Sequence, residues 1–278
     1  MNFKKKGSVE NMKNVSNSNT PKRWAIRDAG EATFYDLVDG HVITTLRTLK
    51  TSGVETTGDT VYARGGFGNP KLVGFSSNRE AKLTLEDAIF DNLALAMLTG
   101  NDPEIKARVV YKNEVKSVIS NKITLTNTPV GAIIGVYKVN PDGTNGEEYT
   151  LGTPSLNESE YSILDKELTF HSSVANNTNI RIYYKVKTGA DATRIKVTSD
   201  KFGGTFKVVI DVLVRDEYTK KDYAGQIYIP NAKFEDNFNI DLSVDGDPAS
   251  LTLTMELLKD PISNDMWALD IFDDSTIV

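Results

Sequence analysis

The sequence predicts a mainly β protein built from antiparallel sheets with one short helix. Three observations point to that class. Apolar and polar residues alternate along many short segments, turn signals rich in Gly, Pro, Asn and Asp separate these segments, and only one segment has helical spacing. The 278 residues, 39% of them hydrophobic, suffice for one large β domain or two smaller ones.

Residues 1–23 are predicted to form a flexible N-terminal arm. The segment is rich in Asn, Ser, Lys and Thr and holds almost nothing to bury, so burial does not offset the entropy lost on ordering. Pro21 closes the polar stretch. Two interpretations stay open: a disordered tail, or an arm that becomes ordered only against a partner subunit.

Residues 24–103 begin a predicted β-sandwich with a hairpin. Short apolar runs at 34–38 and 42–46 flank Asp39-Gly40, a dipeptide that strongly favours a tight turn.

The rest of this stretch changes its periodicity twice. The many Gly, Asn and Pro residues between Val54 and Val73 predict a long loop or a flexible hairpin. Polar and apolar residues alternate over 79–86, which predicts a half-buried strand. Asp91 is a suitable N-cap and Gly100 a suitable C-cap, so the one convincing helix should lie between them.

Residues 104–187 contain a series of short segments that are predicted to be strands. The runs end at turn signals such as Asn127-Thr128-Pro129 and Pro141-Asp142-Gly143, and residues 180–186 alternate strictly. Short strands at this spacing predict a small β-sandwich of its own.

Residues 188–278 show the most regular alternation. The even-numbered residues within 206–214 are all apolar, and the runs 238–244 and 251–257 alternate in the same way, with a turn at 245–248 between them. Each strand should therefore bury one face and expose the other to solvent, as in an antiparallel sheet.

The sequence shows no catalytic, cofactor-binding or metal-binding pattern, so we expect no enzyme. Only two His occur: His41 falls in a predicted turn and His171 ends a strand, and no G-x-S-x-G motif supports a Ser-His-acid triad. The Gly-rich segment 64–70 lacks the pattern of a phosphate-binding loop, and the Asp-Gly turns lack a full calcium-loop pattern. No carboxylate pair stands out from the solvated faces.

Composition excludes further classes. The 32 Lys and Arg against 38 Asp and Glu give a net charge of −6, which argues against tight wrapping of nucleic acid. The lack of Cys excludes disulfides and thiolate chemistry. No stretch reaches the ~18 apolar residues of a membrane span, and no apolar segment of a secretory signal follows the basic start.

Three segments carry a family resemblance. They are Val61–Lys71 with Gly74–Glu80 and the strand–helix unit that ends at Gly100, then Lys201–Lys207 with the strand to Val214, then Ile229–Phe234 with Asp245-Gly246-Asp247-Pro248. Together they resemble structural proteins of tailed bacteriophages, most closely tail tube proteins, over about residues 24–103 and 188–278.

The resemblance implies a β-sandwich flanked by one helix, with a long hairpin or loop. It implies that six copies close a ring whose inner strands form a continuous barrel, and that rings stack into the tube through which DNA is ejected. Residues 104–187 depart from the family pattern and look like an inserted immunoglobulin-like domain.

The resemblance also implies partners and a location. The partners are further copies of the chain, the tape measure, and a sheath, baseplate or tip protein. DNA passes transiently without specific binding. The location is the virion tail, after assembly in the cytoplasm of the bacterial host.

Three carboxylates are predicted to face the pore. In this interpretation strands 206–215 and 238–257 form the wall, and their polar faces include Asp211, Asp241 and Glu256. A lumen lined by carboxylates would repel DNA, whose backbone carries dense negative charge. The open alternative is that these residues are ordinary solvated positions on an outer face.

Four residues are predicted to contact a neighbouring subunit. Val209 and Leu213 are apolar residues on the side of the 206–215 strand that is predicted to face solvent. Arg64 and Phe67 belong to the Gly-rich segment 64–70. Closing a ring across subunits is one way to satisfy the exposed edges of long strands.

Two other functions stay open. A capsid decoration protein, or another virion surface protein, would bind a preformed shell as a trimer or monomer. A receptor module that binds or cleaves glycans would need an aromatic platform, for which Tyr137 and the Tyr183-Tyr184 pair are the candidates.

Overall fold

The computed structural model describes residues 20–28, 30–240 and 249–277. Within these ranges it holds one α-helix and sheets that are antiparallel but for one short pair, so the prediction of a mainly β fold is confirmed. Most of the predicted arm, residues 1–23, and the predicted turn at 245–248 lie outside the described residues. No helix in the described part is long and apolar enough to cross a membrane.

Spatial proximity divides the chain into two compact units. The main unit comprises the residues up to Pro103 and those from Ile195 onward, and the second unit comprises Glu104–Arg194. The main unit begins with β1 Trp24–Ile26, β2 Glu31–Tyr35, β3 Val42–Leu46, β4 Leu49–Arg64, β5 Lys71–Asp87 and α1 Asn92–Thr99. The second unit holds β6 Glu104–Ile105, β7 Val109–Ser117, β8 Lys122–Thr124, β9 Gly135–Val139, β10 Asn145–Glu148, β11 Thr150–Leu151, β12 Glu160–Leu164, β13 Glu167–Phe170, β14 Asn179–Lys187 and β15 Thr193–Arg194. The main unit resumes with β16 Thr205–Asp216, β17 Asp222–Phe234, β18 Leu251–Leu257, β19 Ala268–Phe272 and a 3-10 turn at Asp274–Thr276.

The main unit contains one antiparallel sheet in the order β3-β2-β16-β17-β18-β5-β4, with β1 beside β16 and β19 beside β17. The predicted alternation holds in β16, where Val208, Ile210, Val212 and Val214 are buried. They belong to a core to which β2, β5, β17, β18 and α1 also contribute, including Phe34, Leu83, Leu85, Met97, Phe234, Leu253 and Met255.

The helix α1 begins and ends where its caps predict. The Asp91 carboxylate accepts hydrogen bonds from the backbone N–H groups of Leu93 and Ala94, and Thr44 Oγ1 donates to the same carboxylate over 2.9 Å. Gly100 follows with φ +64°, and a Cβ at this position would lie 2.3 Å from the Phe202 carbonyl oxygen. Glycine alone ends the helix here without a clash.

Two further predictions concern the main unit. Of the alternatives for the segment between Val54 and Val73, a long loop or a flexible hairpin, the structure has a hairpin, formed by β4 and β5 with shifts in register. The predicted strand 238–244 is wrong over its described part, since residues 238–240 form no strand. The strand β18 pairs with β17 and β5, and the apolar Phe238 packs against the core.

The second unit is a β-sandwich with its own core. One sheet has the order β10-β9-β14-β7 and the other β11-β12-β13-β8, in which β11 and β12 are parallel. Both sheets contribute to one buried cluster that includes Val136, Leu168, Phe170, Ile180, Ile182 and Tyr184. The short strands β6 and β15 pair at its ends, with Glu104 opposite Arg194.

Candidate functional site

The face of the main sheet opposite the core, here called the outer face, carries the predicted site residues Asp211, Glu256, Val209 and Leu213, whereas Arg64 and Phe67 lie at the tip of the β4–β5 hairpin. Asp211 is exposed between the buried residues Ile210 and Val212. Glu256 is likewise exposed between two buried residues of β18. Both carboxylates therefore point away from the same core. Asp241 lies outside the described residues.

Glu256 belongs to a ladder of alternating charge that crosses four strands. The strand register places Lys233 of β17 opposite Glu256, Glu256 opposite Lys82 of β5, and Lys82 opposite Glu55 of β4. Opposite charges on directly facing positions stabilise a sheet, whereas like charges destabilise it. This part of the outer face thus alternates in charge and is not uniformly acidic.

Lys82 is the cation between Glu256 and Glu55 in this ladder. Its Nζ forms an ion pair with Glu235 Oε1 at 2.5 Å. The hydrogen bond to Glu235, together with the negative charges of Glu235, Glu256 and Glu55, raises the pKa of Lys82. Lys82 is therefore a stable cation among carboxylates.

Asp211 has a different environment on β16. Its Oδ1 accepts a hydrogen bond from Gln226 Nε2 over 2.8 Å, and it lies directly opposite Glu31 of β2. Glu31 approaches Arg47 at 3.6 Å. The carboxylate is exposed but already has an amide partner.

Val209 and Leu213 flank Asp211 on the same outer face, and both are half-buried. Tyr228 of β17 lies opposite Val209, and Ala224 lies opposite Leu213. We call the part of the outer face with Val209, Leu213, Ala224 and Tyr228 its apolar half, although Asp211 and Gln226 also lie there, and the part around β18 and β5 its charged half.

The β4–β5 hairpin extends beyond the sheet. Pairing between β5 and β18 ends at Lys82, whereas β4 and β5 continue to pair as far as Arg64 and Lys71. Each strand residue from Glu55 to Arg64 and from Lys71 to Glu80 is exposed. This part of the hairpin has no core beneath either face.

One face of the extended hairpin is apolar. Val61 lies opposite Phe75, and Ala63 lies opposite Val73, so the four side chains share a face. Val61 and Phe75 are each 62% exposed. We call these four residues the hairpin patch. Phe67 at the tip is fully exposed, and Arg64 is exposed beside it.

The histidines form no relay. His171 Nδ1 lies 2.7 Å from Ser173 Oγ and 3.8 Å from Glu158 Oε1, so the serine and the carboxylate approach the same ring nitrogen. A Ser-His-acid triad needs one partner on each nitrogen.

Asp36, Asp39 and His41 bring three possible metal ligands within 4.8 Å of one another, a proximity that sequence reasoning did not identify. Asp36 Oδ1 already accepts the N–H groups of Val38 and Asp39. Hydrogen bonds from the His41 backbone and ring lower the pKa of Asp39. These contacts are those of a polar hairpin turn.

Comparison with known proteins gives two matches. The family model of the YomU/Tube protein family matches residues 24–268. A tail tube protein of Bacillus phage SPR is 25% identical over 254 residues, which cover 87% of this chain and 86% of that protein. Both matches run through the main unit and the second unit.

Proposed function

The chain belongs to the YomU/Tube protein family and is a structural protein of a bacteriophage tail tube, and on that premise we propose that it assembles into stacked hexameric rings whose channel conducts DNA during ejection. We further propose that it acts in the virion tail without catalysis or cofactor, beside a tape measure and a sheath, baseplate or tip protein, after assembly in the host cytoplasm. The comparisons favour the tube over a capsid decoration protein.

The hairpin patch is the observation that carries the assembly proposal. A two-stranded hairpin alone is at best marginally stable in water. This one exposes Val61, Val73 and Phe75 on one face and leaves the edge of β4 unpaired within the described residues. A second copy that packs on the hairpin supplies both the apolar cover and the missing strand contacts.

Rotational symmetry then requires two different surfaces. In a ring, each subunit makes a head-to-tail contact, so the hairpin of one copy packs against another region of the next. The apolar half of the outer face, with Val209 and Leu213, is the proposed receiving surface. Phe67 and Arg64 extend the contact at the hairpin tip.

The charged half of the outer face is the proposed channel wall. Glu256 lies there in the alternating ladder with Lys82 and Lys233. Paired charges present little net potential to DNA, which suits a conduit that must not bind its cargo. Asp211, which accepts a hydrogen bond from Gln226, lies between Val209 and Leu213, so in this proposal it faces the channel at the border between the wall and the subunit contact.

The second unit enters the proposal as an independently folding inserted domain of immunoglobulin-like kind. Its separate core and the pairing of β6 with β15 support that role.

Electron microscopy of the purified chain tests the assembly. We expect rings or open-ended tubes with a central pore and sixfold symmetry in negative stain. A stable monomer at high concentration in light scattering, with no rings in micrographs, contradicts the proposal.

A further inference from the structure

The solvent-facing side of the β10-β9-β14-β7 sheet in the second unit carries three tyrosines. Ile180, Ile182 and Tyr184 of β14 point into the core, so Arg181, Tyr183 and Lys185 point to the opposite side. The register places Tyr137 of β9 opposite Arg181 and Tyr111 of β7 opposite Lys185. We call Tyr111, Tyr137, Tyr183, Arg181 and Lys185 the tyrosine face.

Tyr137 and Tyr183 form a corner of two rings. Their centroids lie 6.0 Å apart and the ring planes meet at 76°. The Tyr137 ring lies over Gly135. A Cβ at position 135 would come within 2.6 Å of the Cε2 atom of this ring. A residue larger than glycine at position 135 would displace the ring.

Polar groups hold this corner in place. Asn145 Nδ2 donates to the Tyr183 hydroxyl oxygen over 3.2 Å. A hydrogen bond to Glu148 raises the pKa of Tyr137. The hydroxyls are thus fixed before any ligand arrives, which lowers the entropic cost of binding.

The two cations of this face lack a carboxylate partner in the described part of the chain, and the carboxylate Glu148 on this side is hydrogen-bonded to Tyr137. Arg181 donates from Nη1 to Asn145 Oδ1 over 2.8 Å and from Nη2 to the Gly143 carbonyl oxygen over 3.0 Å, and both acceptors are uncharged. Lys185 Nζ lies 5.2 Å from the ring centroid of Tyr111. Within the described residues, neither cation takes part in an ion pair.

The charge of the two units also differs. Residues 104–194 hold 11 Lys and Arg against 10 Asp and Glu, whereas the rest of the chain holds 21 against 28. The second unit is therefore slightly basic in an acidic protein.

We propose that the tyrosine face binds an anionic saccharide. The electron-rich faces of tyrosine rings attract the polarised C–H groups of a sugar ring, while their hydroxyls and Asn145 offer hydrogen bonds to sugar hydroxyls. The Arg181 guanidinium, held by neutral oxygens, keeps its charge for a carboxylate or phosphate on the sugar. This function goes beyond tube assembly and does not depend on it.

Single-stranded nucleic acid is the competing ligand, since it also uses aromatic rings and cations. The geometry of the rings favours the saccharide. The rings of Tyr137 and Tyr183 are nearly perpendicular, so they do not form a track for successive bases.

Calorimetric titration of the full chain tests the proposal. The probes are oligogalacturonate, a phosphorylated mannan, neutral dextran and a twelve-nucleotide oligothymidylate. We expect at least one anionic saccharide to bind, more weakly as salt rises, and dextran not to bind. Binding should be the same for assembled and unassembled protein.

Three variants locate the site. Arg181→Gln should weaken binding about tenfold, the effect of losing one charge-assisted hydrogen bond. Tyr111→Ser should also weaken it, and because Tyr111 is 77% exposed this variant keeps its fold. Lys122→Gln, in the other sheet, removes the same charge and should bind like the parent. The proposal fails if neither anionic saccharide binds at millimolar concentration, if oligothymidylate binds more tightly, or if Arg181→Gln and Lys122→Gln bind equally.

Discussion

Lys82 and Glu256 lie directly opposite each other on neighbouring strands, at the centre of a ladder that alternates in charge from Lys233 to Glu55. The chain segments that supply these four residues are far apart in sequence. Only the pairing of β4, β5, β18 and β17 brings their charges into register.

Reversing charge on the proposed channel wall should make the tube hold DNA. Glu256→Lys places a third lysine between Lys82 and Lys233, and Asp211→Lys adds another cation on the same face. We expect tubes of the double variant to retain duplex DNA at low salt and to release it as salt rises, because phosphate binding displaces counterions. Sedimentation of tubes with labelled duplex measures the retention.

Glu158→Lys combined with Asp191→Lys, two exposed positions of the second unit, adds the same total charge and is the matched control, which should retain less DNA. If the double variant retains no more than this control, Asp211 and Glu256 do not line the channel.

The hairpin patch should be needed for assembly but not for the folding of the subunit. Val61→Ser combined with Phe75→Ser removes apolar surface that is already exposed in the subunit, so its melting temperature should change little. Tube length in micrographs and mass in light scattering should fall sharply. Thr60→Ala with Ser76→Ala alters the facing pair on the other side of the hairpin and should leave both unchanged. Normal tubes from the first variant would show that the patch makes no subunit contact.

The main unit should fold without the second unit. The two buried clusters share no residue, and Glu104 lies opposite Arg194, at the ~5 Å separation of antiparallel partners, so a short Gly-Ser linker can replace residues 104–194. Both tryptophans, Trp24 and Trp267, belong to the main unit and report its folding by fluorescence. We expect a native emission spectrum, a cooperative melt and tubes in negative stain. An unfolded spectrum after the replacement would make the segment integral to the main core.

The second unit should lose stability at both extremes of pH through the hydrogen bonds that Glu114 accepts from Tyr184 and Thr126. Tyr184 Oη donates to Glu114 Oε1 over 2.7 Å. Burial and this carboxylate raise the pKa of Tyr184 to about 12. The contribution of Tyr184 to the stability of the fold is therefore complete below its pKa in the unfolded chain, near 10, and is lost as pH rises from 10 towards 12. Although burial opposes the change, hydrogen bonds from Thr126 and Tyr184 lower the pKa of Glu114. The contribution of Glu114 to stability is present above its pKa in the unfolded chain, about 4.5, and is lost as pH falls through its lower pKa in the folded protein.

Tyr184→Phe checks this assignment. The variant should destabilise the second unit by about 1.5–3 kcal/mol at neutral pH, the usual range for a hydrogen bond to a charged group. Its unfolding free energy should also vary less than that of the parent between pH 10 and 12. Denaturant unfolding followed by far-ultraviolet circular dichroism measures both effects. An equal pH dependence in parent and variant would assign the alkaline transition to another tyrosine.

Local signals in the sequence were sufficient for much of the fold. Asp91 and Gly100 define the helix because each cap acts on groups within a few residues. Alternation identified β16 and β18 and correctly placed Asp211 and Glu256 away from the core. These features depend only on neighbouring residues.

What the sequence did not predict depends on pairing between distant segments. Residues 54–73 were predicted as a long loop or a flexible hairpin, without a clear strand pattern, because neither face of the extended hairpin is buried. The alternation at 238–244 indicated a strand, yet β18 pairs with β17 and β5, and residues 238–240 form no strand. The cations beside Glu256 come from residues 82 and 233, so an outer face of mixed charge could not be inferred from β18 alone.

The pairing of β6 with β15 also bears on the order in which the chain folds. While residues 104–194 are unfolded, the two parts of the main unit are joined by a loop of that whole length. Once the second unit has formed, Glu104 and Arg194 are held side by side, and the loop is effectively a few residues long. Loop-closure entropy grows by about 0.6 kcal/mol per doubling of length, so this shortening removes about 3 kcal/mol from the cost of bringing β5 and α1 together with β16. Prior folding of the second unit should therefore accelerate folding of the main sheet.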